Sequence, residues 1–183
     1  MRRSLGAVSL LLILAVIPPA GCESGPPGSA AGTSKPTWNV RFSPNGGCTQ
    51  LVVDTLAQAK QTVFVQAYSF TSAPIAQALV DAGRRGVKVE AILDKSQRTE
   101  HYSEADFLAR AGIPVYIDAA HAIAHNKVMV IDDETVITGS FNFTKAAEEH
   151  NAENLLVLHD RELAASYKEN WQRHRAHSAP YSR

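Results

Sequence analysis

An α/β fold, with a mixed β-sheet sandwiched between helices in one domain, is what the 183-residue sequence predicts. From Trp38 onward, short β-branched and aromatic runs alternate with stretches of helical period. Glycines at 86 and 112 close two of the helical stretches. With 45% hydrophobic and 20% charged residues, the chain has ordinary globular composition and enough length for one real core.

The elements follow in order. "WNVRF" reads as a short strand and "SPNGGC" as a turn; "TQLVVDTLAQAKQ" is helical through Leu51, Val52, Leu56 and Ala59. "TVFVQAYSF" is a buried strand. Thr71 and Ser72 are suited to cap the helix "APIAQALVDAGRRG", which ends on Arg84, Arg85 and Gly86. "VKVEAIL" is a strand closing at Asp94, "SEADFLARAG" a helix, and "IPVYID" a strand. "KVMVID" and "TVITGS" are strands around the polar turn Asp132-Asp133-Glu134, and "ENLLVLH" is a last inner strand. "RELAASYKENWQRHR" closes the chain as an amphipathic helix with Leu163, Tyr167 and Trp171 on one face.

Ahead of this domain, residues 1–21 read as an export signal. Arg2 and Arg3 precede the uncharged apolar run Leu5 to Ile17, which is shorter than the ~20 residues that span a bilayer. Pro18 and Pro19 then stop any helix. "AGC" at Ala20–Cys22 resembles the lipobox of bacterial lipoproteins, with Pro19 where that pattern usually has leucine. The expectation is a lipidated Cys22 and a flexible Gly/Pro/Ser/Ala tether over 22–37. A periplasmic or membrane-anchored protein on the outer face of a bacterial membrane then carries its folded domain over 38–183. The other cysteine, Cys48, is then buried or paired between chains. Formal charge is zero, and loss of Arg2 and Arg3 leaves 16 basic against 18 acidic residues. Global attraction to a polyanion is excluded, so any such binding needs a local cluster.

The chemistry concentrates in "HNKVMVIDDETVITGSFNFT", His125 to Thr144. His125 and Lys127 are two apart and share a face of an extended strand, as do Ser140 and Asn142. A hairpin would bring together an imidazole, an ammonium, a hydroxyl and an amide beside Gly139, where the backbone can approach closely. That set suits phosphate oxygens, with the imidazole left for phosphorus.

In order these residues spell H-x-K-x4-D-x6-G-S-x-N, which resembles the HKD motif of the phospholipase D superfamily at His125, Lys127, Asp132, Gly139, Ser140 and Asn142. "QAYSFTSAPIAQALVDAGRRGVKVEAILD" and "GSFNFTKAAEEHNAENLLVL" are similar to the small single-motif bacterial endonucleases of that superfamily. The resemblance implies a metal-independent enzyme, without cofactor, that cleaves DNA with little sequence preference and works as a homodimer. It also implies that Glu153 orients the histidine. RNA as a substrate stays open.

One imidazole cannot be nucleophile and leaving-group acid in the same step, so a single motif per chain calls for a second copy across a two-fold axis. His125 is then the nucleophile in one chain and the acid in the other. Lys127 and Asn142 would hold the non-bridging oxygens with Ser140 as a helper, while Asp132, of opposite strand parity to His125, would order the turn.

Other readings differ in class. His121, His125 and His150, or the acids at 132–134, raise a metal site, but lysine beside the histidine would repel a cation. A phospholipase or cardiolipin hydrolase shares the chemistry and would need an apolar entrance. Arg84, Arg85, Lys88, Lys95, Arg98 and Lys145 are candidates for a nucleic-acid groove. A non-catalytic polyanion-binding surface module would not need a matched nucleophile and acid.

Overall fold

The computed structural model describes residues 37–182. The export segment, Cys22 and all of the tether except Thr37 lie outside the described residues. Eight strands form one sheet: β1 (Thr37–Ser43), β2 (Thr62–Ala67), β3 (Lys88–Asp94), β4 (Val115–Asp118), β5 (Lys127–Ile131), β6 (Thr135–Gly139), β7 (Glu153–His159) and β8 (Ala179–Pro180). Their spatial order is β1-β7-β6-β5-β2-β3-β4-β8. β2, β3 and β4 run parallel, and every other pairing is antiparallel.

Side-chain alternation assigns the two faces. On one side Val63, Val65, Ala91, Leu93, Met129, Ile131 and Ile137 build the larger core. It is covered by α1 (Cys48–Ala57), α2 (Ala73–Arg84) and α3 (Ala105–Arg110) through Val52, Leu56, Ile75, Leu79 and Leu108. On the other side Phe64, Ile92, Val128, Val130 and Val136 meet α5 (Arg161–His177). The face expected for α5 is the one it buries: Trp171 stacks on Phe64 at 4.7 Å and donates its indole N–H to Val65 O at 2.8 Å, with Leu163 and Tyr167 packed beside it. Among the described residues, no helix is long and apolar enough to cross a membrane.

Three elements were not expected: a 3₁₀ turn at Lys95–Arg98, α4 (Lys145–Glu149) and β8. α4 is only one turn long, and its contribution is remote. Glu148 accepts the amides of Gly47 and Thr49 at 2.9 and 2.7 Å and so caps α1, whose N-cap Gly47 has no side chain to do it. Ser72 occupies the N-cap of α2, yet no side-chain cap bond forms; its own amide donates to Phe143 O at 3.0 Å. Cys48 is fully buried, and burial, with the Glu148 carboxylate adding to it, pushes its thiol up to about 11.

Candidate active site

Because β5 and β7 run antiparallel to β2, one edge of the sheet collects several strand ends. The C-terminal ends of β2, β3, β4 and β6 lie there with the starts of β5 and β7. His125 lies at this edge, two residues before β5. The segment 119–126 that delivers it is tied down at several points. Asp94, 3% exposed at the end of β3, accepts the Ala124 amide at 2.7 Å with one oxygen and the Ser96 amide at 2.9 Å with the other. Burial opposes ionisation of Asp94, but these amides and Lys95 outweigh it and hold its carboxyl below the ordinary value. Lys95 Nζ donates to His121 O at 3.0 Å, and the Tyr68 amide donates to Asn126 O at 2.8 Å.

The result is an exposed imidazole beside a buried ammonium. Lys127 is 7% exposed, and its Nζ lies 3.1 and 3.2 Å from the two ring nitrogens of His125 while donating to His125 O at 2.9 Å. The ammonium carries three donors and no acceptor, so it places a fixed positive charge beside the ring for an anion that the imidazole meets. Tyr68 packs on the His125 ring at 4.6 Å and lies 5.2 Å from Lys127 Nζ. Burial pushes the Lys127 ammonium below its ordinary value, while the negative charge of Glu153 pulls it back up.

At the end of β6, Gly139 has φ +146° and lies against Asn154; a Cβ there would fall 2.9 Å from Asn154 Oδ1 and closer still to its carbonyl oxygen. Asn154 fixes the strand end beyond it: its carbonyl accepts the amides of Ser140 and Phe141, each at 3.1 Å. Its own amide donates to Ser140 Oγ at 3.1 Å. Ser140 thus helps to hold the β6–β7 junction and remains exposed. Asn142 follows, with its side-chain oxygen buried and without a hydrogen-bond partner.

Two expected members stand differently. Asp132 is at the other end of β5, about 16 Å of strand away at 3.3 Å per residue. Its carboxylate accepts the amides of Lys60, Gln61 and Thr62 at 2.8, 2.8 and 2.9 Å, the ordering role that its strand parity predicts, although the motif counts it with the catalytic residues. Glu153 lies at the start of β7 and accepts from Asn151 Nδ2 at 3.2 Å; among the described residues no hydrogen bond joins it to His125. Of the basic candidates, Arg84 and Arg85 before β3 and Lys88 at its start lie at the opposite sheet edge, which removes them from a groove at His125. Lys95, Arg98 and Lys145 follow strand ends on the His125 side. The metal set weighed from the sequence is not assembled: His121 turns to Asp118, and His150 lies against Glu149.

Tyr68, Asp94 and Asn154 were missed as site residues. Tyr68, just past the end of β2, and Asp94, the last residue of β3, do mark the ends of parallel strands at the edge where α/β sheets place ligand groups. Asn154, next to Glu153, had no comparable signal.

The sequence matches the model of the family described as cardiolipin synthase, PLD-like domain, over residues 52–175. It is 47% identical over 135 residues to phospholipase D of Rickettsia felis, covering 74% of this chain and 68% of the relative. It is 32% identical over 121 residues to the mitochondrial cardiolipin hydrolase of Chlamydomonas reinhardtii, covering 66% of this chain and 54% of that protein. Among solved structures, the phospholipase D family member Nuc from Salmonella typhimurium superposes with a TM-score of 0.78 at 40% identity, covering 81% of this chain and all of Nuc. The fold, the strand-edge imidazole–ammonium pair and these likenesses agree: the chain belongs to the phospholipase D-like family and is a phosphodiesterase of that type.

Proposed function

We propose that the protein is an exported, metal-independent endonuclease that hydrolyses DNA phosphodiester bonds through a phosphohistidine, with its active site shared across a homodimer. The observation that carries this reading is the exposed His125 ring held by the buried Lys127 ammonium at 3.1 Å. His125 Nε2 or Nδ1 attacks phosphorus, a nitrogen–phosphorus bond forms, and the bond to one ester oxygen breaks. The departing alkoxide takes a proton from His125 of a second copy, which then removes a proton from the water that releases the phosphate. Lys127 neutralises a non-bridging oxygen. A half turn of the Asn142 amide replaces its unpartnered oxygen with an NH2 donor for the same charge. Glu153 supports Lys127 electrostatically and orients His125 once the second copy and substrate close the site. Lys95, Arg98 and Lys145 supply the local cationic strip that a near-neutral chain needs for DNA.

A lipid phosphodiester is the second reading. It is favoured by the names of the Rickettsia and Chlamydomonas relatives and by exposed Tyr102 and Ile123, 74% and 55% exposed near the same edge. Plasmid DNA and vesicles of phosphatidylcholine or cardiolipin, offered in EDTA to the parent and to His125→Ala, separate the readings if folding is followed by circular dichroism. The expected result is nicking and linearisation of DNA by the folded parent alone. Headgroup release from vesicles without DNA cleavage would replace the nuclease reading, and a fully active gel-filtration monomer would contradict the shared site.

A further inference from the structure

At the same sheet edge, beyond β3, four residues outside the proposed catalytic set converge. Asp118, the last residue of β4, has no exposed surface, and its carboxylate faces three imidazoles. Oδ2 lies 2.8 Å from His174 Nδ1, 3.1 Å from His121 Nδ1 and 3.2 Å from His177 Nε2; Oδ1 lies 3.1 Å from His121 Nδ1. The three rings surround the carboxylate with centroids 4.8, 5.2 and 5.3 Å apart, and one ligating atom from each of the four residues lies within 4.8 Å of all the others.

We propose that Asp118, His121, His174 and His177 form a structural site for one divalent transition-metal ion, with Zn²⁺ the best match. Three imidazole nitrogens and one carboxylate oxygen are a borderline-soft set that selects zinc over magnesium or calcium, which take oxygen ligands. A tetrahedron with metal–ligand distances of about 2.0–2.1 Å has edges of about 3.3–3.4 Å. The carboxylate-to-imidazole separations of 2.8–3.2 Å come within about half an ångström of that edge, and the wider ligand pairs, up to 4.8 Å apart, close on an ion by rotation of the imidazoles.

The scaffold supports the same conclusion. His174 and His177 are three apart on one helix face, and Asp118 and His121 are likewise three apart. Two rigid elements, β4 and the last turns of α5, therefore supply three of the four ligands. Around them, the Ala120 amide donates to Asp118 Oδ1 at 3.0 Å, Lys95 holds the His121 carbonyl, and Ser178 Oγ donates to His174 O at 2.7 Å. These contacts orient ligands in the manner of outer-sphere partners. Four protein ligands leave no open position for substrate or water, which makes the site structural.

Its location gives it a task. His121 lies four residues before His125, so the ion would clamp the segment 119–126 to β4 and α5 and fix where the imidazole emerges. The site is independent of the chemistry proposed for His125, which uses no metal.

The test uses the full chain. Metal analysis of protein dialysed into metal-free buffer is expected to find one zinc per chain, and His125→Ala should carry the same amount. After stripping with dipicolinate, added Zn²⁺ should raise Tm, and Co²⁺ should give tetrahedral d–d bands without sulfur charge transfer. His121→Asn removes the one ligand supplied by a loop, so the fold survives while zinc affinity falls by more than the 10–100-fold typical of outer-sphere losses. The double variant His174→Asn/His177→Asn should lose the metal, and His150→Asn should keep it. A folded parent with no more zinc than the double variant, and a Tm indifferent to zinc, would overturn the proposal and leave a carboxylate–imidazole network. Failure of DNA cleavage with zinc bound would affect only the proposed function.

Discussion

Asp132→Ala separates a residue that shapes the fold from one that performs chemistry. The substitution removes three amide-to-carboxylate hydrogen bonds, from Lys60, Gln61 and Thr62, at 2.8–2.9 Å. Bonds to charged groups contribute about 1.5–3 kcal/mol each when shielded. Lys60 and Gln61 are exposed, so water replaces much of what their amides lose and the sum is well below the gross value. Asp132 also has φ 53°, a left-handed conformation that costs alanine about 1 kcal/mol more than aspartate or asparagine. Together these give about 3 kcal/mol, or about 6–12 °C in Tm for a domain of this size. Asp132→Asn keeps the tolerance for that backbone and one acceptor oxygen, so its loss should be about half as large. Urea unfolding gives the stability, and kcat/KM measured well below both midpoints gives the activity. Each folded variant should retain kcat/KM within about threefold, a difference of less than 1 kcal/mol. A fall of 100-fold or more with an unchanged Tm would refute the structural assignment.

Other perturbations test the site itself. Lys127→Met is expected to abolish turnover while raising Tm by a few degrees, because burial holds the ammonium below its ordinary value and so makes its charge costly; a lower Tm in thermal unfolding would contradict that. Gly139→Ala forces a Cβ against Asn154 at a positive φ and should cost roughly 2–4 kcal/mol by chemical denaturation, with activity lost as the Ser140–Asn154 junction opens. Asp94→Asn weakens the tie to the Ala124 amide, and kcat/KM should fall about tenfold through misplacement of His125. Since the Asp94 carboxyl is held below its ordinary value, its contribution to stability is complete above a pH of about 3.9 and is lost as pH falls through the folded-state value. The Tm gap between the parent and Asp94→Asn should therefore narrow on acidification below that point.

Much of this architecture is written locally in the chain. Continuous β-branched and apolar runs such as "TVFVQA" and "KVMVI" identify buried strands, and Leu163, Tyr167 and Trp171 identify the buried face of α5. His125, Lys127 and Gly139 were legible because motif spacing and strand parity place them at one edge. Asp132 was legible in its role, since odd parity along β5 turns it from His125, although the motif invites a catalytic assignment. What stayed hidden depends on pairs far apart in sequence. Glu148 caps α1 from 101 residues away, and Asp94 grips Ala124 across 30. The imidazole cluster joins Asp118 to helix residues 56 and 59 positions later. Its only local trace is two pairs with a spacing of three, Asp118/His121 and His174/His177, and the second extends past Arg175, where the helix was expected to stop.

In the proposed reaction His125 becomes covalently attached to substrate phosphorus, and trapping that adduct tests it most directly. Acidic quenching is unsuitable, because a phosphoramidate is acid-labile and alkali-stable. Rapid quenching into alkaline denaturant during turnover of phosphorus-labelled DNA, in chelator at a temperature where circular dichroism shows a folded chain, preserves the adduct. Proteolysis then maps it. Label is expected on the peptide containing His125, lost in acid and lacking from His125→Ala. Efficient cleavage with no adduct on His125, or cleavage retained by the folded His125→Ala protein, would contradict it.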